Sequence, residues 1–184
     1  MRRITHLTLG AAVALPLAVP FAASASSSVA VAVGLGGLWF GSAGGGFPDW
    51  FDLRSDLKRP LRLQHRGASH GLPVALGMTA LLYLVLRVLA FSGFALGPLA
   101  LAPSEATAQL WSACFLAGVL SHLASDACTK GGIRPLLPFT QWKLWLLPKP
   151  LRSRHDGWLD RIVFLASLAA LGLTAVALLA NRLA

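Results

Sequence analysis

The chain is 184 residues long, 55% hydrophobic and only 12% charged, far from the roughly 45–50% apolar and 25% charged usage of soluble domains. That balance excludes an ordinary water-soluble fold and implies an all-α, polytopic membrane bundle forming one integral domain over residues 1–184. The formal charge of +9 would suggest a nucleic-acid partner in a soluble protein, but its placement along this chain has another explanation and no nucleic acid is expected.

Taken in order, Arg2 and Arg3 precede a first apolar span at residues 7–25, close to the ~20 residues that cross a bilayer. Met-Arg-Arg, the apolar core and the small residues Ala22-Ala-Ser-Ala-Ser26 also satisfy the pattern of a cleavable secretory signal. Cleavage near Ala25 would remove His6 and leave four spans. Pro16 and Pro20 are tolerated in membrane helices, and Gly37-Leu-Trp-Phe-Gly41 offers a small-residue face for a second span, 28–47, to pack on the first. An uncleaved first helix is therefore expected. Gly44-Gly-Gly46 and Pro48 are expected to break the second helix, with Asp49 and Asp52 just beyond. His65 and His70 frame the entry to a third span, 74–96, interrupted only by Arg87. A fourth span, 106–120, is followed by His122 and Asp126, and a fifth covers 162–180. Cys114 and Cys128, separated by about 21 Å if helical, are too far apart for a disulfide and should be free thiols.

The loop after the second span holds Arg54, Lys58, Arg59, Arg62 and Arg66, and the one after the fourth holds Lys130, Arg134, Lys143, Lys149, Arg152 and Arg154. The two intervening loops have no Lys or Arg. This positive-inside pattern places the N-terminus and both basic loops in the cytoplasm, where the cations would also attract anionic lipid headgroups. Residues 132–157 interleave Trp142, Trp145 and Trp158 with cations, and Pro135, Pro138, Pro148 and Pro150 rule out one long helix. The segment reads as a short interfacial lid or anchor on the inner leaflet.

Parity of crossing brings His6, Asp49, His65, His70, His122 and Asp126 to that same face, with Asp52 and Asp160 at the rim. His122 and Asp126, four apart, share one helical face. Ionisable groups beside lipid are costly unless they bind something, and imidazoles with carboxylates suit zinc, manganese or iron(II) better than magnesium. A single His-x-x-x-Asp pair is equally well a hydrogen-bonded pair, and His155 reads as a solvated loop residue; the convergence of the others is what points to a metal. Arg66 has two readings, a phosphate-holding fork and a positive-inside anchor.

Thr-His6, Phe-Pro-Asp49, His65-Arg-Gly-Ala-Ser-His70 and Ser-His122-Leu-Ala-Ser-Asp126-Ala-Cys-Thr129-Lys-Gly-Gly132, followed by Leu-Leu-Pro138-Phe, together resemble the YdjM-like family of bacterial inner-membrane metal-dependent hydrolases. The resemblance runs from His6 to about Asp160. It departs from the family in the spacing of Asp49 and Asp52, in Ser69, Gly71 and Lys130, and in Asp160 where a Glu usually stands. It implies an enzyme, a membrane-embedded hydrolase with a divalent metal, one or two zinc ions. A more distant similarity to zinc-dependent phospholipase C and P1 nuclease implies that His70, His122 and Asp126 hold one metal and His6 with Asp126 a second, while Asp49 activates water. The substrate class is expected to be a phosphoester or a lipid-derived small molecule, with membrane lipids as the surrounding partners. Two alternatives are a metal transporter, which would place ligands near the bilayer midplane, and a non-enzymatic inner-membrane protein that binds metal or a partner.

Overall fold

A computed structural model describes residues 1–23, 27–52, 67–92, 104–154 and 157–183, with backbone alone at 23, 27–28, 51–52 and 181–183. The described residues form five long helices, which we number α1 (Arg3–Ala23), α2 (Ser27–Asp52), α3 (Leu72–Phe91), α4 (Glu105–Ala127) and α5 (Trp158–Leu183). Each is long and apolar enough to cross a bilayer. Among these residues no strand forms; two isolated bridges, Thr129 with Ser153 and Ile133 with Leu144, shape the segment after α4. The all-α bundle of five spans expected from the sequence is the architecture observed.

Helices α1, α2 and α4 pack into a three-helix core, α3 lies along α4, and α5 leans on α1. Small residues bring the three together. A Cβ at Gly45 would overlap the carbonyl oxygen of His6, one at Gly44 the carbonyl of Phe115, and one at Gly118 the carbonyl of Gly41. Between membrane helices lipid removes the hydrophobic incentive, so association depends on this close backbone approach. Larger side chains fill the layers around it: Phe40 stacks on Trp111 at 5.5 Å and Phe47 meets Phe115 edge-on at 5.4 Å. Gly45→Ala is expected to lower the melting temperature of the detergent-purified protein by an amount equivalent to about 1–3 kcal/mol, the usual cost of overpacking. An unchanged melting point would mean that α1 and α2 do not meet at Gly45.

The second helix does not end where the sequence suggests. It continues through Gly44–Gly46 and past a buried Pro48 to Asp52. Proline removes one helical hydrogen bond and strains the preceding turn, yet packing of the glycine face against α1 and α4 holds the helix together across it. As a result Asp49 sits on the helix, one turn beyond Gly45 and on the same face. At the other end, α4 starts on a capping box in which Ser104 and Thr107 satisfy each other's backbone amides. There Glu105 accepts from Tyr83 and pairs with Arg87 at 3.3 Å, tying α3 to α4.

The segment after α4 is folded without a long helix, as its prolines require. Ile133 and Leu144 exchange backbone hydrogen bonds, Leu146 N–H donates to the Ala127 carbonyl and Leu72 N–H to that of Pro135. It is thereby fastened beneath α3 and α4. Gly132 adopts φ 64°, a left-handed conformation that brings the backbone against Trp145. Phe139, Trp142 and Leu146 project outward from it, and Trp50 and Trp158 are exposed at the same end of the bundle. Aromatic side chains at this level suit the membrane–water boundary.

Candidate metal centre

Five of the expected residues, from four elements, meet near one end of the three-helix core. His6 comes from the first turns of α1, Asp49 from the end of α2, His70 from a single helical turn (Ala68–His70) before α3, and His122 and Asp126 from the end of α4. All three histidines are essentially inaccessible. His70 and His122 face each other through their Nε2 atoms, 3.2 Å apart. Each Nε2 lies 3.7 Å from Asp49 Oδ1, and Asp126 Oδ2 is 3.8 Å from one and 3.9 Å from the other. His6 Nε2 lies 3.5 Å from Asp126 Oδ1, and its ring stacks on that of His122 with centroids 3.8 Å apart. His122 thus belongs to two donor groups, one with His6 and Asp126 and one with Asp49 and His70.

The His122 to Asp126 distance is too long for a hydrogen bond, so the bland reading of that pair does not describe it. The imidazoles are anchored instead through their other nitrogens. His122 Nδ1 is 2.7 Å from the Gly45 carbonyl oxygen, which can only accept, so His122 donates there and turns an Nε2 lone pair toward the centre. Ser125 Oγ donates to the His122 carbonyl at 2.9 Å and lies 3.0 Å from His6 Nδ1, an arrangement that suits a His6 proton on Nδ1. Ser69 Oγ is 3.1 Å from His70 Nδ1. Such outer partners fix the tautomer and aim of metal-binding imidazoles. Gly45 and Asp49, one turn apart on α2, therefore address opposite ends of the same His122 ring.

The donor spacing fits a small cation. Tetrahedral ligands at ~2.1 Å from an ion lie about 3.4 Å from one another; the close pairs here run from 3.2 to 3.9 Å, and the donor atoms within each group, one from each residue, all lie within 4.8 Å of one another. Three imidazoles with two carboxylates form a donor set typical of zinc and its neighbours. No sulfur joins it among the described residues. Cys114 and Cys128 are both free, as expected, and partial burial pushes the Cys128 thiol up, away from thiolate chemistry.

Two contacts were not legible in the sequence. The Met1 amino group lies 3.3 Å from Asp126 Oδ1, inside the protein. Asp160, expected at the rim, is completely buried and receives the Arg2 amide at 2.8 Å and the Arg2 guanidinium. A buried carboxylate demands such a partner, so Asp160 clamps the start of α1 to α5 and is not an open rim carboxylate. His65, Arg66 and His155 lie outside the described residues, as does the side chain of Asp52 at the end of α2. The outer partners Ser69 and Ser125 sit inside the histidine motifs and were findable there; Gly45 was masked by its reading as a helix breaker.

Among families of known proteins, the chain matches the YdjM inner membrane protein family over residues 1–183. Comparison with curated proteins and with solved structures gives no match, so the similarity to zinc-dependent phospholipase C and P1 nuclease rests on motif order alone.

Proposed function

We propose that this chain, which belongs to the YdjM inner membrane protein family, is a metal-dependent hydrolase whose site opens at the cytoplasmic face and acts on a phosphoester or lipid-derived substrate. The observation that carries the reading is the meeting of the His70 and His122 Nε2 atoms at 3.2 Å between two carboxylates. With His122 committed to the Gly45 carbonyl, its Nε2 points a lone pair at the partner ring. Burying this set in a membrane span is costly by itself, and a divalent cation compensates both the lone pairs and the carboxylate charge.

In this reading His70, His122 and Asp126 hold one ion, and His6 with Asp126 marks a second position, giving one or two zinc ions. When bound, such an ion polarises the scissile group and lowers the pKa of a water from 15.7 toward ~7. Asp49 is 20% exposed at its side chain against 4% for Asp126, so it is the carboxylate with access to water, and it takes the proton of the attacking water as general base. His65 stays in the proposal as a further ligand, Arg66 as a clamp for the substrate phosphate, and Asp52 as a substitute base.

The cytoplasmic orientation rests on charge. Arg2, Arg3, Lys130, Arg134, Lys143, Lys149, Arg152, Arg154 and Arg161 flank the end of the bundle that carries the site, whereas Arg87 lies toward the other end, paired with Glu105. The ligands at helix ends argue against a transporter, whose sites lie near the midplane. The N-terminal helix is retained in this reading, because it supplies His6. Mass spectrometry of the membrane-extracted protein should find it intact, and a mature chain starting near Ser26 would refute the His6 assignment.

Chelation tests the whole. The purified protein should turn over a generic phosphodiester, lose that activity in EDTA and recover it with zinc. Its melting point should fall in step with metal loss, since a ligand at 1,000 times its Kd stabilises by about 4 kcal/mol. Activity and melting that both ignore EDTA would sink the proposal.

A further inference from the structure

We propose that a second site, distinct from the metal centre, binds a phosphate-bearing anion in the cavity bounded by Lys130, Lys149 and Arg152. These three side chains line a space of about 300 Å³ just beyond the end of α4. The backbone brings them together. Lys130 N–H donates to the Ser153 carbonyl at 3.0 Å, and Thr129 pairs with Ser153 in a parallel bridge, so the stretch leaving α4 is tied to the one that carries Arg152. Lys149 opens the single helical turn Lys149–Leu151, directly before Arg152.

Arg152 is held more closely still. Its Nε–H donates to the Leu147 carbonyl at 2.8 Å, and its guanidinium lies 4.6 Å from the centre of the Trp145 ring. Trp145 is itself fixed by donating from Nε1 to the Lys130 carbonyl at 3.4 Å. The stack covers one face of the guanidinium and the Leu147 bond occupies one N–H, leaving the Nη donors as an oriented fork. A fork held in place, with two ammonium groups beside it, matches the geometry of a phosphate.

The electrostatics point the same way. Three like charges around one cavity repel, and among the described residues none of the three lies within ion-pair distance of a carboxylate. General positive-inside character would scatter the cations and would not require Arg152 to be pinned from two sides. Arg134, in the same segment, does not line the cavity. Lys130 follows Asp126 by four residues, so its backbone lies within about 14 Å of that of the candidate ligand. The occupant is either the headgroup of an anionic lipid or a free phosphate or phosphate ester, and the site needs no metal in either case.

The test uses the full chain with EDTA present, so that it is independent of the hydrolase reading. Binding of inorganic phosphate is measured by calorimetry in detergent at fixed ionic strength. Binding of phosphatidate is measured in phosphatidylcholine nanodiscs. In at least one arm the wild type should saturate, and Lys130→Gln with Arg152→Gln should weaken binding about 100-fold. Arg134→Gln should cost no more than the roughly fivefold that one cation near an anionic surface contributes. Arg152→Lys, which keeps the charge but loses the fork, should weaken binding clearly more than Arg134→Gln. Saturation by phosphate in solution identifies a soluble phosphate site, and saturation in nanodiscs alone a lipid headgroup site. Equal effects at Arg134 and Arg152, or no saturable binding in either arm, would overturn the proposal.

Discussion

Replacing His122 by alanine is expected to strip the protein of its metal, taking the content measured by elemental analysis from the one or two ions per chain of the wild type to background. His122 is the side chain that both donor groups share, it is fully buried, and the Gly45 carbonyl holds its ring so that Nε2 faces the other ligands. Among the described residues no other imidazole belongs to both donor groups, and an anchored ring of this kind is not replaced by a side chain aimed elsewhere. Asp126→Ala should do the same, because its two oxygens face His6 on one side and His70 and His122 on the other. Neither change reduces the hydrophobicity that drives α4 into the membrane, so the variants should still be recovered from the membrane fraction. Wild-type metal content in His122→Ala would mean that the cluster is a polar hydrogen-bonded network and that any ion binds elsewhere.

Asp49→Asn is expected to keep the metal and lose turnover, by the ~10²–10⁴-fold usually credited to a positioned general base. Asparagine preserves the size of the side chain and its place one turn beyond Gly45, but it cannot accept the proton of a water. The distinguishing measurement is metal content beside rate. If Asp49→Asn loses metal together with activity, Asp49 is a ligand, as its 3.7 Å approaches to both His70 and His122 also permit, and the base must be sought at Asp52. Asp160, the other carboxylate near this end of the bundle, is not available for that role, since Arg2 occupies it. If turnover is unchanged in Asp49→Asn, Asp126→Ala and His122→Ala alike, the better account is a non-enzymatic membrane protein that binds metal or a partner.

The amino-acid sequence determined the number of spans, the common face of the ionisable residues and most of the donor set, because these follow from local quantities. Apolar length gives a span, parity of crossing a common end of the bundle, and a spacing of four puts His122 and Asp126 on one side of a helix. What happens to Gly44–Gly46 and Pro48 is a different kind of question. Their intrinsic preference is to end a helix; only the close approach of α1 and α4, whose backbones would collide with any larger side chain there, makes the same residues continue one. That tertiary choice moved Asp49 from a loop to a helix face and supplied the Gly45 carbonyl that orients His122. The fate of Asp160 was decided in the same way. Nothing in its neighbours along the chain announces a partner, and burial against Arg2 arises only when α5 comes to rest on α1. Periodicity and charge reach a few residues along the chain, whereas tautomers, buried ion pairs and the gathering of Lys130, Lys149 and Arg152 depend on segments that meet only when the bundle closes.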